Sequence, residues 1–365
     1  MRTLAVLMVA MLLPGCLMDA LYGNLPDTVR MDPGVIALTG LNGPHDDFNA
    51  VAGPPPLAMD AFIAFASNDA SGGKRFRIDA GRLALRQDPF PGRRQKNPPR
   101  PVVQARRLGP FDVIPETGGD VRGPSPLFLA PEPQGMYEKS FAPYETKSYR
   151  LTREPLPADG GGRLPAGGVW MFDSNHEGRR NLYFVDAAGK VRPFFGNRPD
   201  ADDAYATYDF AAGELLFCSN RSGQYRLYRC RNRAGGTDFA RWLGDRSQAQ
   251  FIEPVAELPV AGETMCPFVD GDELFFASNR PGGLGGFDLY VCRRTPQGWG
   301  PPRNLREVMP PGVGVNTPGN EFRPSVLALG LRSFKELRVL MFSSDRPGGA
   351  GGYDLYVTAL PEEAR

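Results

Sequence analysis

Histidine is nearly absent from this chain, with two residues in 365, and tryptophan is scarce at three. His45 and His176 both read as loop residues, which leaves little material for an imidazole base or a histidine-rich metal centre. Charge of one sign is lacking too. Lys and Arg number 42 against 41 Asp and Glu, a formal net charge of +1, so no global field draws the chain toward nucleic acid or an anionic membrane. Aromatics interleaved with basic residues, as base stacking needs, are missing as well. No G-x-S-x-G, H-E-x-x-H or P-loop string occurs, which removes the usual serine-hydrolase, zincin and nucleotide sites. Cysteine is limited to five, with no C-x-x-C spacing for zinc. What the chain has in abundance is Gly (44) and Pro (37), the composition of many turns and short strands.

The opening "MRTLAVLMVAMLLPGC" carries one Arg, an apolar run too short to span a bilayer, and small residues ahead of Cys16. Leu13-Pro14-Gly15-Cys16 resembles the bacterial lipobox, in which the Cys becomes the lipidated first residue of the mature chain. Residues 1–15 are then a signal peptide, 16–31 a tether and 32–365 the folded domain. The other four cysteines, Cys218, Cys230, Cys266 and Cys292, allow disulfides in an exported chain; Cys218 with Cys230 is the first pairing to consider, free buried thiols the alternative.

Two near-identical strings stand out, "ASNRPGGLGGFDLYV" at 277–291 and "SSDRPGGAGGYDLYV" at 343–357. Weaker copies are "LLFCSNRSGQYRLYRC" at 215–230, "VWMFDSNHEGRRNLYFVD" at 169–186 and "FIAFASNDASGGKRFRID" at 62–79. Each reads as a β-hairpin: a strand ending in Phe, a turn opened by Ser-Asn or Ser-Asp, a Gly-bearing loop and a second strand. Upstream of the hairpins lie short acidic starts such as "HDDFNA", "DDAYAT", "GETMCP" and "GNEFRP". Four strands per unit, recurring 45, 59 and 66 residues apart at Ser174, Ser219, Ser278 and Ser344, describe a β-propeller of four-stranded antiparallel blades. The 107-residue gap from Ser67 to Ser174 is wide enough for a degenerate sixth blade, so six blades are expected. Residues 86–135 would be that blade or a long Pro/Arg-rich loop, eight basic residues from Arg82 to Arg107 facing only Asp88. "DPGVIALTGL" at 32–41 is expected to add the strand that the last blade lacks and so close the ring.

These residues resemble the WD40-like β-propeller repeat of TolB-type lipoproteins and envelope proteins: Glu321 through Ser325, the hairpin at 340–357, Gly298-Trp299 through Asn304-Leu305, and "LNGPHDDFNA" at 41–50. The resemblance implies a cell-envelope location, on the periplasmic side of the outer membrane or at the surface. It also implies contact with envelope proteins or peptidoglycan-associated lipoprotein. Neither a separate N-terminal α/β domain nor a C-terminal peptidoglycan-binding domain is legible.

Candidate functional residues follow from the repeat. Arg280 with Asp288, and Arg346 with Asp354, are expected as ion pairs stapling the loop mouth; Arg226 replaces the acid in the copy at 215. Asp46, Asp47, Asp202, Asp203, Glu263 and Glu321 begin innermost strands and could ring one mouth of the channel. There they cap turns, or converge on a divalent cation or polar ligand, the one cofactor in view. The glycine loops at 281–286 and 347–352 precede no helix and so fail as phosphate cradles. The combined expectation is a lipid-anchored, non-catalytic binding or scaffolding module of the bacterial envelope that binds no nucleic acid. The alternatives are a carboxylate-based glycan hydrolase and an axial-metal ligand sensor.

Overall fold

The computed structural model describes residues 34–53, 60–86, 102–128, 164, 166–233, 236, 238–329 and 337–361. These residues form an all-β propeller of small antiparallel sheets. Second strands such as Glu214–Ser219 and Glu273–Ser278 are buried along their whole length. A neighbouring blade covers each face, so runs such as Leu215-Leu216-Phe217 and Leu274-Phe275-Phe276 are apolar without alternation.

A two-residue strand, β1 (Ile36–Ala37), precedes blade 1. Blade 1 comprises β2 (Asp47–Ala52), β3 (Asp60–Ser67), β4 (Arg77–Arg86) and β5 (Val102–Pro110). Blade 2 follows with β6 (Val121–Leu127), β7 (Val169–Ser174), β8 (Asn181–Val185) and β9 (Val191–Pro193). Blade 3 holds β10 (Asp203–Asp209), β11 (Glu214–Ser219), β12 (Arg226–Arg231) and β13 (Glu253–Pro254). In blade 4, β14 (Thr264–Asp270), β15 (Glu273–Ser278) and β16 (Asp288–Thr295) are completed by β17 (Gly298–Trp299) and β18 (Arg303–Asn304), which both pair with β16. Blade 5 consists of β19 (Glu321–Leu329), β20 (Leu337–Ser344) and β21 (Asp354–Ala359), with β1 outermost through Ile36 opposite Val357.

The expected sixth blade does not appear: the described residues form five sheets, one for each hairpin copy. The long interval is shared between two blades, because 102–110 is the outer strand of blade 1 and 121–127 the inner strand of blade 2. The Arg-rich stretch therefore ends inside a sheet. Residues 1–33, with the expected signal peptide, Cys16 and the whole tether, and much of 86–135 lie outside the described residues.

Blade-to-blade packing is aromatic. Phe111 meets Trp170 edge-on at 5.0 Å and Phe62 at 5.2 Å, joining blades 1 and 2. A short helix, α1 (Phe239–Gly244), is capped by Asp238, which accepts the Arg241 N–H, and buries Phe239, Trp242 and Leu243. All four described cysteines are free and buried, so the Cys218–Cys230 pairing is not made. Register explains this. Cys218 faces Leu227 across the ladder, and Cys230 lies three positions further along that strand, on the opposite side of the blade. Burial pushes the Cys230 thiol up to about 11 and those of Cys266 and Cys292 up to about 12.

Candidate functional site

One end of the propeller carries the same network five times. The residue just ahead of each inner strand is Asp46, Asp120, Asp202, Glu263 or Asn320. Its backbone N–H donates to the turn Asx of its own blade, Asn68, Asn175, Asn220, Asn279 or Asp345, at 2.5–2.8 Å. Its side-chain oxygen accepts a backbone N–H from the preceding blade: Tyr353, Phe76, Arg180, Tyr225 and Phe287, in blade order. The carbonyls of those five residues accept the N–H groups of Asp47, Val121, Asp203, Thr264 and Glu321 at 2.7–2.9 Å. Blade 5 is thus joined to blade 1 by the same bonds that join every other pair. A buried blade edge would otherwise leave backbone donors and acceptors unpaired, and each of these contacts answers one of them.

The six acids expected at the mouth divide into two sets. Asp46, Asp202 and Glu263 belong to the interblade network just described. Asp47, Asp203 and Glu321 begin the inner strands and are fully buried, each held by its own blade. Asp203 accepts from Arg221 at 2.6 Å, Asp47 from Arg107 at 2.7 Å, and Glu321 from the Thr317 hydroxyl at 2.6 Å and the Ser344 hydroxyl at 2.8 Å. Burial pushes the Asp47 carboxyl up to about 6, against the opposing pull of Ser67, Arg107 and the Gly43 N–H. Burial also raises Glu321, with Thr317 and Ser344 pulling the other way. Among the described residues no three His, Cys, Asp or Glu side chains come together as a metal site. The acids are distributed round the ring as turn caps.

The expected Arg–Asp staples are not formed. Arg280 and Arg346 instead turn inward, each Nε donating to the turn serine, Ser278 or Ser344, at 3.0 Å. Arg221 does the same to Ser219 at 2.9 Å. Each of the three guanidiniums lies against two rings of its blade, with Arg346 4.7 Å from Tyr356 and 5.2 Å from Phe342. These cation–π contacts and the serine bonds outcompete a bridge across a loop. The aspartates are occupied elsewhere: Asp288 accepts the N–H groups of Leu284 and Gly285, and Asp354 those of Ala350 and Gly351. In blade 1 the arginine position is Asp69, and Arg107 reaches in from β5 to Asp47, Ser67, Asp69 and Asp79. In blade 2 the position is His176, whose ring packs on Tyr183 at 4.9 Å while Nδ1 lies 3.2 Å from Ser174 Oγ. His45 supplies its backbone N–H to Asp69.

The double glycines of the two best hairpins also have a tertiary reason. A Cβ on Gly285 would fall 1.9 Å from the Gly319 carbonyl oxygen, and one on Gly351 would fall 1.6 Å from that of His45. These loops lie flat on the lead-in to the next blade, where only hydrogen fits.

A second ring of five surrounds the axis. The third residue of every inner strand has a positive φ: Asn49 (61°), Gly123 (58°), Tyr205 (54°), Cys266 (53°) and Arg323 (49°). At each the ladder register shifts, marking a β-bulge. Four non-glycine residues held there mean backbone strain repeated about the axis. Arg323 is fully buried and spans the ring: its Nη2 donates to the Pro124 carbonyl of blade 2 at 3.2 Å and approaches that of Ala206 in blade 3 at 3.5 Å. Starting from blade 5, this side chain crosses to the opposite wall. Tyr205 lies beside it, ring centroid 5.7 Å from the guanidinium, and Asn49 and Cys266 are buried at the same level. Burial pulls the Arg323 pKa below its ordinary value, while Cys266, Asp173 and Tyr205 act in the other direction. Asp173, the carboxylate of this region, is paired with Arg180.

Asp120, Asn320, Arg107, Arg221 and the whole axial ring were not legible as site residues. Asp120 had a signal, because it stands before a strand and three residues ahead of Gly123, the spacing from Asp46 to Asn49. The axial ring had none, since Asn, Gly, Tyr, Cys and Arg share no side-chain property.

No protein-family model matches the chain. No curated protein matches it either. Solved structures do resemble it in fold. TolB from Acinetobacter baumannii is 13% identical, with 89% of this chain and 66% of that chain covered and a TM-score of 0.33. An exo-β-1,3-galactanase from Phanerochaete chrysosporium is 10% identical, with 91% and 65% covered and a TM-score of 0.45. An endo-arabinase from Bacteroides thetaiotaomicron is 12% identical, with 89% and 96% covered and a TM-score of 0.45. This chain thus spans about two thirds of the length of the first two. Identities and superpositions this low concern fold alone and transfer no activity.

Proposed function

We propose that this protein is a non-catalytic binding or scaffolding module of the bacterial cell envelope, held there by lipid on Cys16, with a five-bladed ring that presents its mouth loops to an envelope protein. The observation that supports this reading is Arg323, which reaches across the axis to carbonyls of blades 2 and 3, where hydrolysis in a propeller channel would call for open carboxylates. The mouth acids support it too, since they are engaged by backbone N–H groups of their own and neighbouring turns. A cavity of about 210 Å³ beside Glu273, Arg293 and Arg303 lies on the outer part of blade 4 and is smaller than a usual small-molecule site.

The test has two arms on the mature, lipidated chain. Purified protein is incubated with peptidoglycan, β-1,3-galactan and arabinan, and reducing ends are counted over time. Photo-crosslinking side chains are placed in intact cells at Leu284, an exposed mouth-loop position, and at Asp272, exposed in the turn between β14 and β15 at the other end of the ring. The expected result is no sugar release, and a discrete adduct with one envelope protein from Leu284 but not from Asp272. Sugar release that disappears on mutating Asp47 or Glu321 overturns the reading in favour of a hydrolase. A Cys16→Ser chain that still fractionates with membranes overturns the lipid anchor.

A further inference from the structure

The charges around the axis do not balance. Arg323 and Arg180 bring two positive groups, and Asp173, which holds Arg180 through Oδ1 and leaves Oδ2 unbonded, brings one negative group; nearby Arg122 and Asp120 pair with each other. Arg323 is fully buried, yet its Nε and Nη1 have no hydrogen-bond partner, and no carboxylate lies within ion-pair distance of it among the described residues. A guanidinium stays charged at any ordinary pH, so deprotonation cannot relieve this burial. On the adjacent inner strand Asn49 holds the equivalent axial position, is equally buried, and leaves both Nδ2 and Oδ1 unbonded. A buried cation with unbonded donors and an unbonded amide on the neighbouring inner strand are both costly for a protein interior to hold.

We propose that one small monovalent anion of the halide class binds on the propeller axis, held by the free N–H groups of Arg323 and by the Asn49 amide. The single surplus positive charge matches one negative charge. Arg323 Nε, Arg323 Nη1 and Asn49 Nδ2 are the donors available, while the Pro124 and Ala206 carbonyls already take Nη2 on the far side. A phosphate-class ion would bring more charge and more acceptor oxygens than these donors satisfy. The anion would tie blade 5 to blade 1 at the axis, a level that the mouth network does not reach. It makes ring stability depend on halide, whatever partner the mouth engages.

Bromide is the probe. Thermal unfolding of the full mature chain is followed as bromide replaces gluconate at constant ionic strength, and crystals grown in bromide are measured at its absorption edge. Saturable stabilisation is expected, with a Tm rise of roughly 5 °C at a hundredfold excess over half-saturation, together with an anomalous peak in contact with Arg323 and Asn49. Asn49→Ala should weaken half-saturation about tenfold through loss of one donor, and Arg323→Met should abolish the response. A flat or non-saturating bromide dependence overturns the proposal. So does a wild-type crystal in which Arg323 turns to Asp173 or to water with no bromide peak, and that crystal decides the matter even if Arg323→Met fails to fold.

Discussion

Two rings of five equivalent positions run round this molecule. At the mouth, Asp46, Asp120, Asp202, Glu263 and Asn320 perform one task five times, accepting a backbone N–H from the blade before. At the axis, Asn49, Gly123, Tyr205, Cys266 and Arg323 share a bulged, positive-φ backbone and nothing in their side chains. The difference separates scaffold from individuality. A ring that must satisfy repeated backbone groups selects for a short side-chain acceptor, so its residues converge on Asp, Asn or Glu. A ring fixed by backbone geometry alone leaves its side chains open to other demands, and here one of them, Arg323, reaches across the axis.

The comparison breaks most readily where the mouth ring joins its ends. Gly351→Ala puts a Cβ against the His45 carbonyl at 1.6 Å. It should cost about 3 kcal/mol in chemical denaturation, because backbone rather than a side chain must move. Gly348→Ala, three residues away with open space but a φ of 92°, should cost about 1 kcal/mol. Equal losses at both positions would mean that the blade 5 to blade 1 contact is loose.

Next in size is a pH effect at Asp47. Its folded pKa, about 6, lies above the ordinary carboxylate value of 3.8, so between these values the folded state holds more protons than the unfolded one. Stability from this group is greatest below pH 3.8 and is lost as pH rises through 6. Asp47→Asn, which cannot ionise, should therefore gain on the wild type by about 2 kcal/mol between pH 4 and pH 7. Denaturant midpoints at the two pH values check this, and a constant difference would show that Arg107 fully compensates the burial.

Smaller and more diagnostic are Asn68→Ala, Asn175→Ala and Asn220→Ala. Each removes the acceptor for one mouth N–H, and each should cost about 1–2 kcal/mol, nearly equal across three blades. Unequal costs would show that the mouth ring is less repetitive in energy than in geometry. At the axis, Cys266→Ala trims one buried sulfur and should cost about 1 kcal/mol without altering the mouth network, as amide exchange of the Tyr225 and Phe287 N–H groups would report.

The hairpins were legible because their determinants are local. Ser-Asx turns, loop glycines and apolar strand runs state each hairpin within some fifteen residues, and all five appear where the strings placed them. The N-terminal pairing strand was legible by elimination, since blade 5 lacked an edge. The blade count was not, because a gap of 107 residues has the same length whether it contains a blade or two long connections within blades. The arginine staples were misread for a related reason: Arg280 and Asp288 are close in sequence, but stacking on Phe276 and Tyr290 and the bond to Ser278 turn the guanidinium away.

By itself, then, the chain's sequence determined a repeated, turn-rich β architecture and the identity of its five hairpins. Turn chemistry and strand patterning act over a few residues and leave a readable mark. Only the tertiary structure decided how many blades share the ring, which way the arginines face and what occupies the axis. The bonds that settle those matters join Arg323 to Pro124 and Ala206, and Tyr353 to Asp46, across 199, 117 and 307 residues. Contacts made by closing a ring depend on where every blade comes to rest, and no local spacing encodes that.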